Sequence, residues 1–338
     1  MMTWFKTLTG FSEQSMDQVR ANLRLDGTTL SSLVNQRSFE AGTFTTPSLA
    51  TLRKEIERPA ETPRRIRLSQ IAADIRSLHQ DVAYQNATFQ VASQFNCLEM
   101  ASPSITPEQG VGIYQSDLTQ GPACSICAGA GTIVRNYFVE TNGRIGQSHD
   151  NQIDCLAEIA DHFGNQHNSL WTMQNGYCFP SATGLAQIEQ QLAESDPVAI
   201  DQIRGKLQVG LHANTQVTIG ESEHLVTQVF CSALPVAYSR LSKSDWNYFP
   251  KLILESTYES TFYAALRNLR DSGSDELFLT LVGGGVFGNR LEWILSAIAR
   301  SLSIFTAVPL DVRIVSYGGL NPDVEAFVSR WRESATGG

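Results

Sequence analysis

The chain has 338 residues, 42% of them hydrophobic, and a formal net charge of −9. This length allows a large buried core, and no apolar run approaches the roughly eighteen residues that a bilayer-spanning helix needs. The acidic balance argues against general nucleic-acid binding. Residues 1–6 are followed by no apolar signal region, so we expect a cytosolic protein.

The first part of the chain predicts an N-terminal extension, residues 1–84, that packs on a core domain at residues 85–330. Short apolar patches alternate with Ser, Thr and Gly over residues 1–50, and the prolines of residues 59–63 suggest a bend. An amphipathic helix is predicted from the spacing of Ile66, Leu68, Ile71, Ala72, Ile75 and Leu78. We therefore expect the extension to be helical.

Residues 87–92 predict a strand, and a long loop then leads to Gly121 and Pro122. Proline in the first turn suits a helix start, so a helix is expected over residues 123–137. Gly129 and Gly131 lower its helix propensity. Either another segment approaches the backbone closely there, or the helix is broken.

Residues 140–220 are expected to combine helices with strands. A helix is predicted at residues 153–163, and Asn175-Gly176 is the favoured two-residue turn of a β-hairpin. Two further helices are predicted around Pro197. A strand is expected through Leu207, Val209 and Leu211.

The C-terminal part alternates strands and helices. Strands are predicted at residues 225–230, 277–282 and 310–315, and helices at residues 258–269 and from Leu291 onward. This order is typical of a mostly parallel sheet covered by helices. Ligands of such sheets bind outside the carboxyl ends of the strands.

A glycine-rich loop follows the strand at residues 277–282. Its residues are Gly283, Gly284, Gly285, Val286, Phe287, Gly288 and Asn289. A strand, a glycine loop and a helix can direct backbone N–H groups at a phosphate, and Phe287 could lie against a sugar or base. The alternative is a tight connection that binds nothing.

A second candidate site spans residues 94–120. Its polar residues are Gln94, Asn96, Glu99, Glu108, Tyr114, Asp117 and Gln120. Amides at a strand end suit ribose hydroxyls, and carboxylates can orient water or act as general acid or base. The alternative is a long surface loop capped by polar residues, although loops of this length are usually functional.

No metal or redox cofactor is expected. Cys124 and Cys127 have metal-ligand spacing, but no second pair and no nearby His completes a site, so a structural role is favoured. The six cysteines lie in apolar segments, as small buried side chains do. A disulfide framework is not expected in a reducing compartment.

Residues 85–138 and 224–318 resemble a macrodomain, of the type found in poly(ADP-ribose) glycohydrolase. The sharpest likeness is the glycine-rich loop of residues 283–289, with its aromatic before the last glycine. The chain departs from the family in lacking the Asn-Ala-Ala-Asn string, the Gly-Asp-Ile signature and an adjacent Glu-Glu pair. Residues 104–112 replace the glycine-rich first loop. Residues 140–220 would be a large insertion in the family's pattern, and this insertion could contact a protein partner.

The resemblance implies a three-layer α/β/α fold with a cleft for ADP-ribose. By resemblance, the loop of residues 283–289 holds the diphosphate, Phe287 lies beside the distal ribose, and Tyr317 stacks on adenine. Asn96 falls where the family has a ribose-binding Asn. The segment from Tyr114 to residue 123 falls where the glycohydrolases have an acidic, amide-containing corner.

Three functions follow as hypotheses. The first is hydrolysis of an ADP-ribosyl glycosidic bond, with Asp117, Gln120 and Glu99 as catalytic residues, since an oxocarbenium-like transition state needs a nearby negative charge. The second is a module that binds ADP-ribose or NAD without turnover. The third is a structural protein with a degenerate cleft.

Overall fold

The computed structural model describes residues 3–58 and 65–336, so the bend expected at residues 59–63 lies outside the described residues. The α-helices are α1 (Trp4–Thr9), α2 (Met16–Asn22), α3 (Leu49–Glu55), α4 (Ile75–Gln80), α5 (Gln120–Cys127), α6 (Gly129–Tyr137), α7 (Ala157–Phe163), α8 (Ala182–Glu194), α9 (Pro197–Gly205), α10 (Tyr248–Ser272), α11 (Leu291–Ile304) and α12 (Pro322–Thr336). The strands are β1 (Leu23–Asp26), β2 (Thr29–Ser32), β3 (Ser38–Glu40), β4 (Thr43–Thr45), β5 (Arg67–Ala72), β6 (Thr88–Ala92), β7 (Glu140–Thr141), β8 (Arg144–Ile145), β9 (Trp171–Gln174), β10 (Tyr177–Pro180), β11 (Gly210–Gln216), β12 (Leu225–Cys231), β13 (Glu276–Leu279) and β14 (Asp311–Ser316).

A seven-stranded sheet forms the centre, in the order β4-β11-β12-β6-β13-β14-β5. The strands from β12 to β5 in this order run parallel to one another. Strand β11 is antiparallel to both of its neighbours, β12 and β4. The sheet is therefore mixed and mostly parallel, which confirms the expected class.

Helices cover both faces of the sheet. Side chains alternate in direction along a strand, and in β6 the ring of Phe89 stacks on His79 of α4 while Gln90 donates to Thr261 of α10. Neighbouring β12 repeats the alternation, because Gln228 reaches the Cys124 carbonyl of α5 and Thr227 reaches Asn268 of α10. The three-layer α/β/α architecture is confirmed.

The helix expected over residues 66–78 is wrong. Residues 67–72 form edge strand β5, which pairs with β14 from Arg67 opposite Asp311 to Ala72 opposite Ser316, and a short helix, α4, begins only at Ile75. The apolar spacing fits a helix locally. Hydrogen bonding to a strand far along the chain decides the structure instead.

The N-terminal segment combines helices α1 to α3 with a small sheet of β1, β2 and β3. Phe5, Leu8 and Val19 belong to a second apolar core that also includes Ile133 and Tyr137 of α6. Both edge strands of the central sheet, β4 and β5, precede residue 84. The segment thus completes the sheet, while the domain boundary at residue 84 stays a prediction.

Several expectations for residues 120–220 are confirmed. Asn175 and Gly176 have positive φ and join β9 to β10, and α8 ends just before Ser195 while α9 begins at Pro197. The helix expected over residues 123–137 is broken at Ala128 into α5 and α6. Strand β11, near the end of the expected insertion, belongs to the central sheet. A protein partner for residues 140–220 stays a prediction.

The six cysteines are buried and free. In the described part of the chain no helix is both long enough and apolar enough to cross a membrane. The described residues contain no group of three or more His, Cys, Asp or Glu placed to hold a metal ion.

Candidate functional site

A cleft of about 840 Å³ opens at the carboxyl ends of β6, β13 and β14. Most candidate residues from both sequence regions line it: Gln94, Glu99, Asp117, Gln120, Gly283, Gly285, Val286, Phe287 and Tyr317. Parallel strands end at one edge of the sheet, so segments that are far apart in the chain meet there. The cleft joins the two candidate sites into one.

The glycine-rich loop lines this cleft with residues whose amide N–H groups are not bonded within the protein. The N–H groups of Gly288 and Asn289 donate to carbonyl oxygens of the loop itself, at Gly285 and Gly283, and those of Gly284 and the preceding Val282 donate to Leu281 and Thr280. Others have no acceptor within the described residues, namely those of Gly283, Gly285, Val286 and Phe287. The latter four residues are the loop members that line the cleft beyond Val282. Such amides suit an anionic ligand.

Two glycines give the loop its shape. Gly283 and Gly288 have φ of +74° and +71°, which favour glycine. A β-carbon on Gly283 would lie 2.4 Å from Ala233 Cβ, and one on Gly288 would lie 2.7 Å from Ala237 Cβ. Asn289 is buried and its amide donates to the carbonyl oxygens of Leu234 and Gly283. Three residues that were expected to bind ligand therefore lie outside the cleft lining and support the loop, namely Gly284, Gly288 and Asn289.

Glu99 is the most unusual group in the cleft. It is only 2% exposed, and both carboxylate oxygens are shielded from solvent without a well-formed hydrogen bond, near Arg135 and the hydroxyls of Ser125 and Tyr114. Arg135 Nη2 lies 3.5 Å from Oε2 beneath it. Burial raises the pKa of Glu99 to about 7, against the lowering effect of the Arg135 charge and of the Ser125 and Tyr114 hydroxyls. A carboxyl with such a pKa exchanges protons near neutral pH.

Arg135 is fully buried and holds its position through several contacts. Its Nε donates to the Cys97 carbonyl, its Nη2 donates to the Ser125 hydroxyl, and its guanidinium stacks 3.6 Å from the Phe230 ring centroid. Its Nη1 has no partner in the described residues. Arg135 was not expected from the sequence, because a lone Arg in an apolar helix carries no motif.

Gln120 lies in the cleft wall, but its side chain is engaged within the protein. Its Oε1 accepts from the Ala92 amide at 2.9 Å, and its Nε2 donates to the Gln90 carbonyl at 2.8 Å. Gln120 therefore fastens the start of α5 to the end of β6. The structure does not leave its amide free for the catalytic role expected from the sequence.

Asp117 lines the cleft on the neighbouring loop and is partly exposed. Its Oδ1 accepts from the Thr119 amide at 2.8 Å and from the Thr119 hydroxyl at 2.7 Å. The other carboxylate oxygen, Oδ2, has no hydrogen bond among the described residues. Asp117 is thus held in place with one oxygen available.

The remaining residues of the second candidate site divide between the cleft and the core. Gln94 lines the cleft, and its Oε1 accepts from the Met100 amide. Asn96 is fully buried outside the cleft lining, with its amide bonded to Leu98 and Gln152. Tyr114 is also buried outside the lining, and its hydroxyl accepts from the Glu99 amide at 3.0 Å. The positions of Asn96 and Tyr114 do not fit direct ligand contact.

Aromatic residues line two parts of the cleft. Phe287 packs with Tyr177 and Tyr238, with ring centroids 5.4 to 5.7 Å apart. Tyr317, at the end of β14, is 84% exposed at the cleft edge. Tyr177 and Tyr238 were missed by the sequence reading. The Asn175-Gly176 turn placed Tyr177 on a hairpin, but nothing local showed that the hairpin reaches this cleft.

The cleft lining contains acidic but no basic side chains. Among the described residues that line it, Glu99 and Asp117 are charged, and there is no Lys, Arg or His. The first turns of α5 and α12 also border the cleft, at Gly121 and Pro122 and at Pro322. Any anion in the cleft would be met by backbone N–H groups and helix N-termini.

The fold is similar to solved structures of poly(ADP-ribose) glycohydrolase. The enzyme from Thermomonospora curvata matches with a TM-score of 0.46 and 11% identity, over 96% of this chain and 98% of that chain. The Deinococcus radiodurans enzyme in complex with ADP-ribose matches with a TM-score of 0.44 and 10% identity, over 96% of this chain and 100% of that chain.

The Thermomonospora curvata enzyme bound to the inhibitor ADP-HPD matches with a TM-score of 0.45 and 11% identity, over 97% of this chain and 98% of that chain. No protein-family model matches the sequence, and no curated protein matches it.

Proposed function

We propose that the protein binds the ADP-ribosyl group of its substrate in this cleft and hydrolyses the glycosidic bond to that group. The observation that supports this proposal most strongly is Glu99. Glu99 lines the same cleft as a glycine loop with free amides, and burial beside Arg135 gives its carboxyl a pKa of about 7. The combination supplies a proton-transfer group beside a diphosphate cradle.

Binding is assigned to the loop and the cleft edge. The free N–H groups of Gly283, Gly285, Val286 and Phe287 would hold the diphosphate, because backbone dipoles favour an anion without any basic side chain. Exposed Tyr317 would stack on adenine. Gln94 is the strand-end amide that reaches the cleft, and because its Oε1 already accepts from Met100, its Nε2 replaces Asn96 as the candidate for a ribose hydroxyl.

Catalysis is assigned to the two carboxyl groups. Departure of a glycosidic leaving group develops positive charge on the ribose, which an adjacent carboxylate stabilises. Glu99, with its pKa raised to about 7 by burial, would take the proton of the attacking water. Asp117 would orient that water through Oδ2, while Thr119 holds Oδ1.

A non-catalytic binding protein is the second candidate. It is favoured by Gln120, whose amide is bonded at both ends to β6, and by Asp117, which already accepts from Thr119. Both groups were expected to be catalytic, and both contribute to local structure. In this case the cleft would bind ADP-ribose without turnover.

One experiment separates the two candidates. The full chain is titrated with ADP-ribose by calorimetry and incubated with a mono-ADP-ribosylated peptide, with released ADP-ribose measured by mass spectrometry. Glu99→Gln should lower the release rate at least about 100-fold and retain ADP-ribose binding. Glu194→Gln, an exposed helical glutamate distant in sequence from the cleft, is the control.

Tight binding by the wild type with no product after long incubation would instead favour the binding protein. Release by Glu99→Gln at the wild-type rate would remove Glu99 from the mechanism. Absence of ADP-ribose binding would overturn both candidates.

A further inference from the structure

The glycine-rich loop leaves the sheet at a point where the strand pairing has already ended. The pairing of β13 with β6 stops at Phe278, and its pairing with β14 stops at Leu279. The chain then turns within three residues, because the Val282 amide donates to the Thr280 carbonyl at 3.0 Å. The loop begins one residue later, at Gly283. Contacts other than the strand ladder therefore fix the direction in which the loop leaves the sheet.

Tyr258 of α10 bonds to both ends of this three-residue turn. Its hydroxyl donates to the Thr280 carbonyl at 2.7 Å and accepts from the Val282 amide at 3.1 Å. A phenol hydroxyl can donate and accept at the same time, so one group holds both ends. Tyr258 is fully buried, and burial raises its pKa above the ordinary value of 10.0, so the hydroxyl keeps its proton in neutral solution.

Gln90 of β6 makes a second side-chain contact with the same turn. Its Oε1 accepts from the Thr280 amide at 3.2 Å, and its Nε2 donates to the Thr261 hydroxyl at 2.9 Å. Thr261 lies three residues after Tyr258, so both side chains leave one face of α10. That face of α10 therefore reaches Thr280 directly through Tyr258 and indirectly through Gln90.

Gln90 also connects the turn to the other candidate region of the cleft. Its backbone carbonyl accepts from Gln120 Nε2 at 2.8 Å, and Gln120 is the first residue of α5, three residues after Asp117. Gln90 thus bonds the start of the glycine-rich loop through its side chain and the start of α5 through its backbone. The two segments that line the cleft share one buried support.

This support acts on the ligand only through the loop. Tyr258 and Gln90 lie outside the cleft lining, whereas Thr280 and Val282 belong to it. The amides without an acceptor begin at Gly283, directly after the turn. Backbone amides bind an anion where their N–H groups converge, and no basic side chain among the described lining residues adds to that attraction. The affinity for a diphosphate therefore depends on how the loop is oriented before the ligand arrives.

We propose that Tyr258 is a positioning residue for the diphosphate site: its hydroxyl fixes the entry of the glycine-rich loop and so sets the affinity of the cleft for a nucleoside diphosphate, with Gln90 as the second support. This inference rests on the proposed function and concerns the diphosphate part of the ligand. It applies to both candidate functions, since each requires ADP-ribose to bind.

The test measures the Kd of ADP-ribose by calorimetry on the full chain. Tyr258→Phe keeps the ring and removes only the hydroxyl, and we expect the Kd to rise about tenfold because the loop amides lose their common orientation. Gln90→Met removes the second support at a similar side-chain length and should raise the Kd at least about threefold. This second variant answers the question if the first fails to fold.

Two controls separate positioning from stability. Thr227→Val removes a different buried hydrogen bond between the sheet and α10, from the Thr227 hydroxyl to Asn268 at 3.1 Å, outside the cleft lining. It should lower the midpoint of urea unfolding about as much as Tyr258→Phe does and leave the Kd within about twofold of the wild-type value. Tyr263→Phe, at a buried tyrosine of the same helix outside the cleft lining, should also leave the Kd within about twofold.

Equal Kd values for the wild type and Tyr258→Phe would overturn this inference and leave the proposed function standing. An increase in Kd for Thr227→Val as large as that for Tyr258→Phe would also overturn it, because affinity would then follow stability. Failure of the wild type to bind ADP-ribose would overturn the proposed function as well.

Discussion

Gly121 packs directly against Glu99. A β-carbon built on Gly121 would lie 3.0 Å from Glu99 Cγ and 1.9 Å from the carbonyl oxygen of Ala92. The first turn of α5 therefore passes between the end of β6 and the Glu99 side chain. Both neighbours fit because Gly121 has no side chain. The corner formed by Gln120, Gly121 and Pro122 shapes the cleft around Glu99 and supplies no free catalytic group of its own.

Gly121→Ala should destabilise the protein and displace Glu99. The added carbon meets backbone on one side, which cannot rotate away, so we expect a loss of roughly 1–3 kcal/mol in the free energy of unfolding. Chemical denaturation measures this loss. Gly319→Ala, where a β-carbon meets nothing within 4 Å, is the control and should change the free energy by less than about 0.5 kcal/mol. Equal stability of the two variants would contradict the packing described.

Glu99 should make stability depend on pH. Burial raises its pKa to about 7 from the ordinary value of 4.5, so the folded state holds the proton over a range in which the unfolded state releases it. The contribution of Glu99 to stability is therefore full below pH 4.5 and decreases as pH rises to about 7. The size of this decrease is on the order of 3 kcal/mol.

The measurement is urea unfolding of the wild type and Glu99→Gln at about pH 5 and pH 8. Between these pH values the wild type should lose more stability than the variant, which has no proton to release at this position. Parallel pH profiles for the two proteins would show that Glu99 does not titrate near neutrality. The same ionisation should make the hydrolysis rate rise through about pH 7, since the base must be unprotonated.

Glu13 fixes the loop that carries Asp117. Its carboxylate accepts from the amides of Val111 and Gly112 at 2.9 and 2.6 Å and from the Tyr137 hydroxyl. Burial raises the pKa of Glu13, against the effect of these bonds. The N-terminal segment thereby fixes the backbone at Val111 and Gly112, shortly before Asp117 in the cleft lining.

Glu13→Gln should weaken this attachment, because an amide has one acceptor oxygen where the carboxylate has two. We expect a loss of about 1–3 kcal/mol in the free energy of unfolding and a KM that rises more than kcat falls. Asp17→Asn, at an exposed position on α2, is the matched control. An unchanged KM in a destabilised Glu13→Gln variant would limit the residue to a role in folding.

Ligand binding should depend little on salt. The described lining residues include no Lys or Arg, so the diphosphate is met by neutral backbone N–H groups. We expect the Kd of ADP-ribose, measured by calorimetry, to change less than about threefold between roughly 50 and 500 mM NaCl. A change of more than about tenfold would mean that a basic side chain reaches the ligand.

The sequence predicted those parts of the fold that depend on local patterns. The strand, glycine loop and helix from Glu276 to Ile304 follow from an apolar run, consecutive glycines and helical spacing within about thirty residues. The Asn175-Gly176 turn was equally local. Edge strand β5 was not predictable in this way, because β14, which pairs with it, lies far along the chain.

The site was predicted in its general position but only partly in its residues. Gln94 and Asn96 are close in sequence at a strand end, yet one faces the cleft and the other the core, and the residue type alone does not decide this. Arg135 and Tyr177 reach the Glu99 region only through tertiary packing. The raised pKa of Glu99 likewise comes from burial, which no motif records.

The central claim is that the free amides of the glycine loop bind a diphosphate. It is tested most directly by following the backbone amide signals of the ¹⁵N-labelled full chain by NMR during titration with ADP-ribose. We predict saturable shifts at Gly283, Gly285, Val286 and Phe287 that exceed those at Gly284 and Gly288, whose N–H groups already donate to the carbonyl oxygens of Leu281 and Gly285. Saturation with ADP-ribose that leaves the first four signals unmoved, or no binding at all, would contradict the claim.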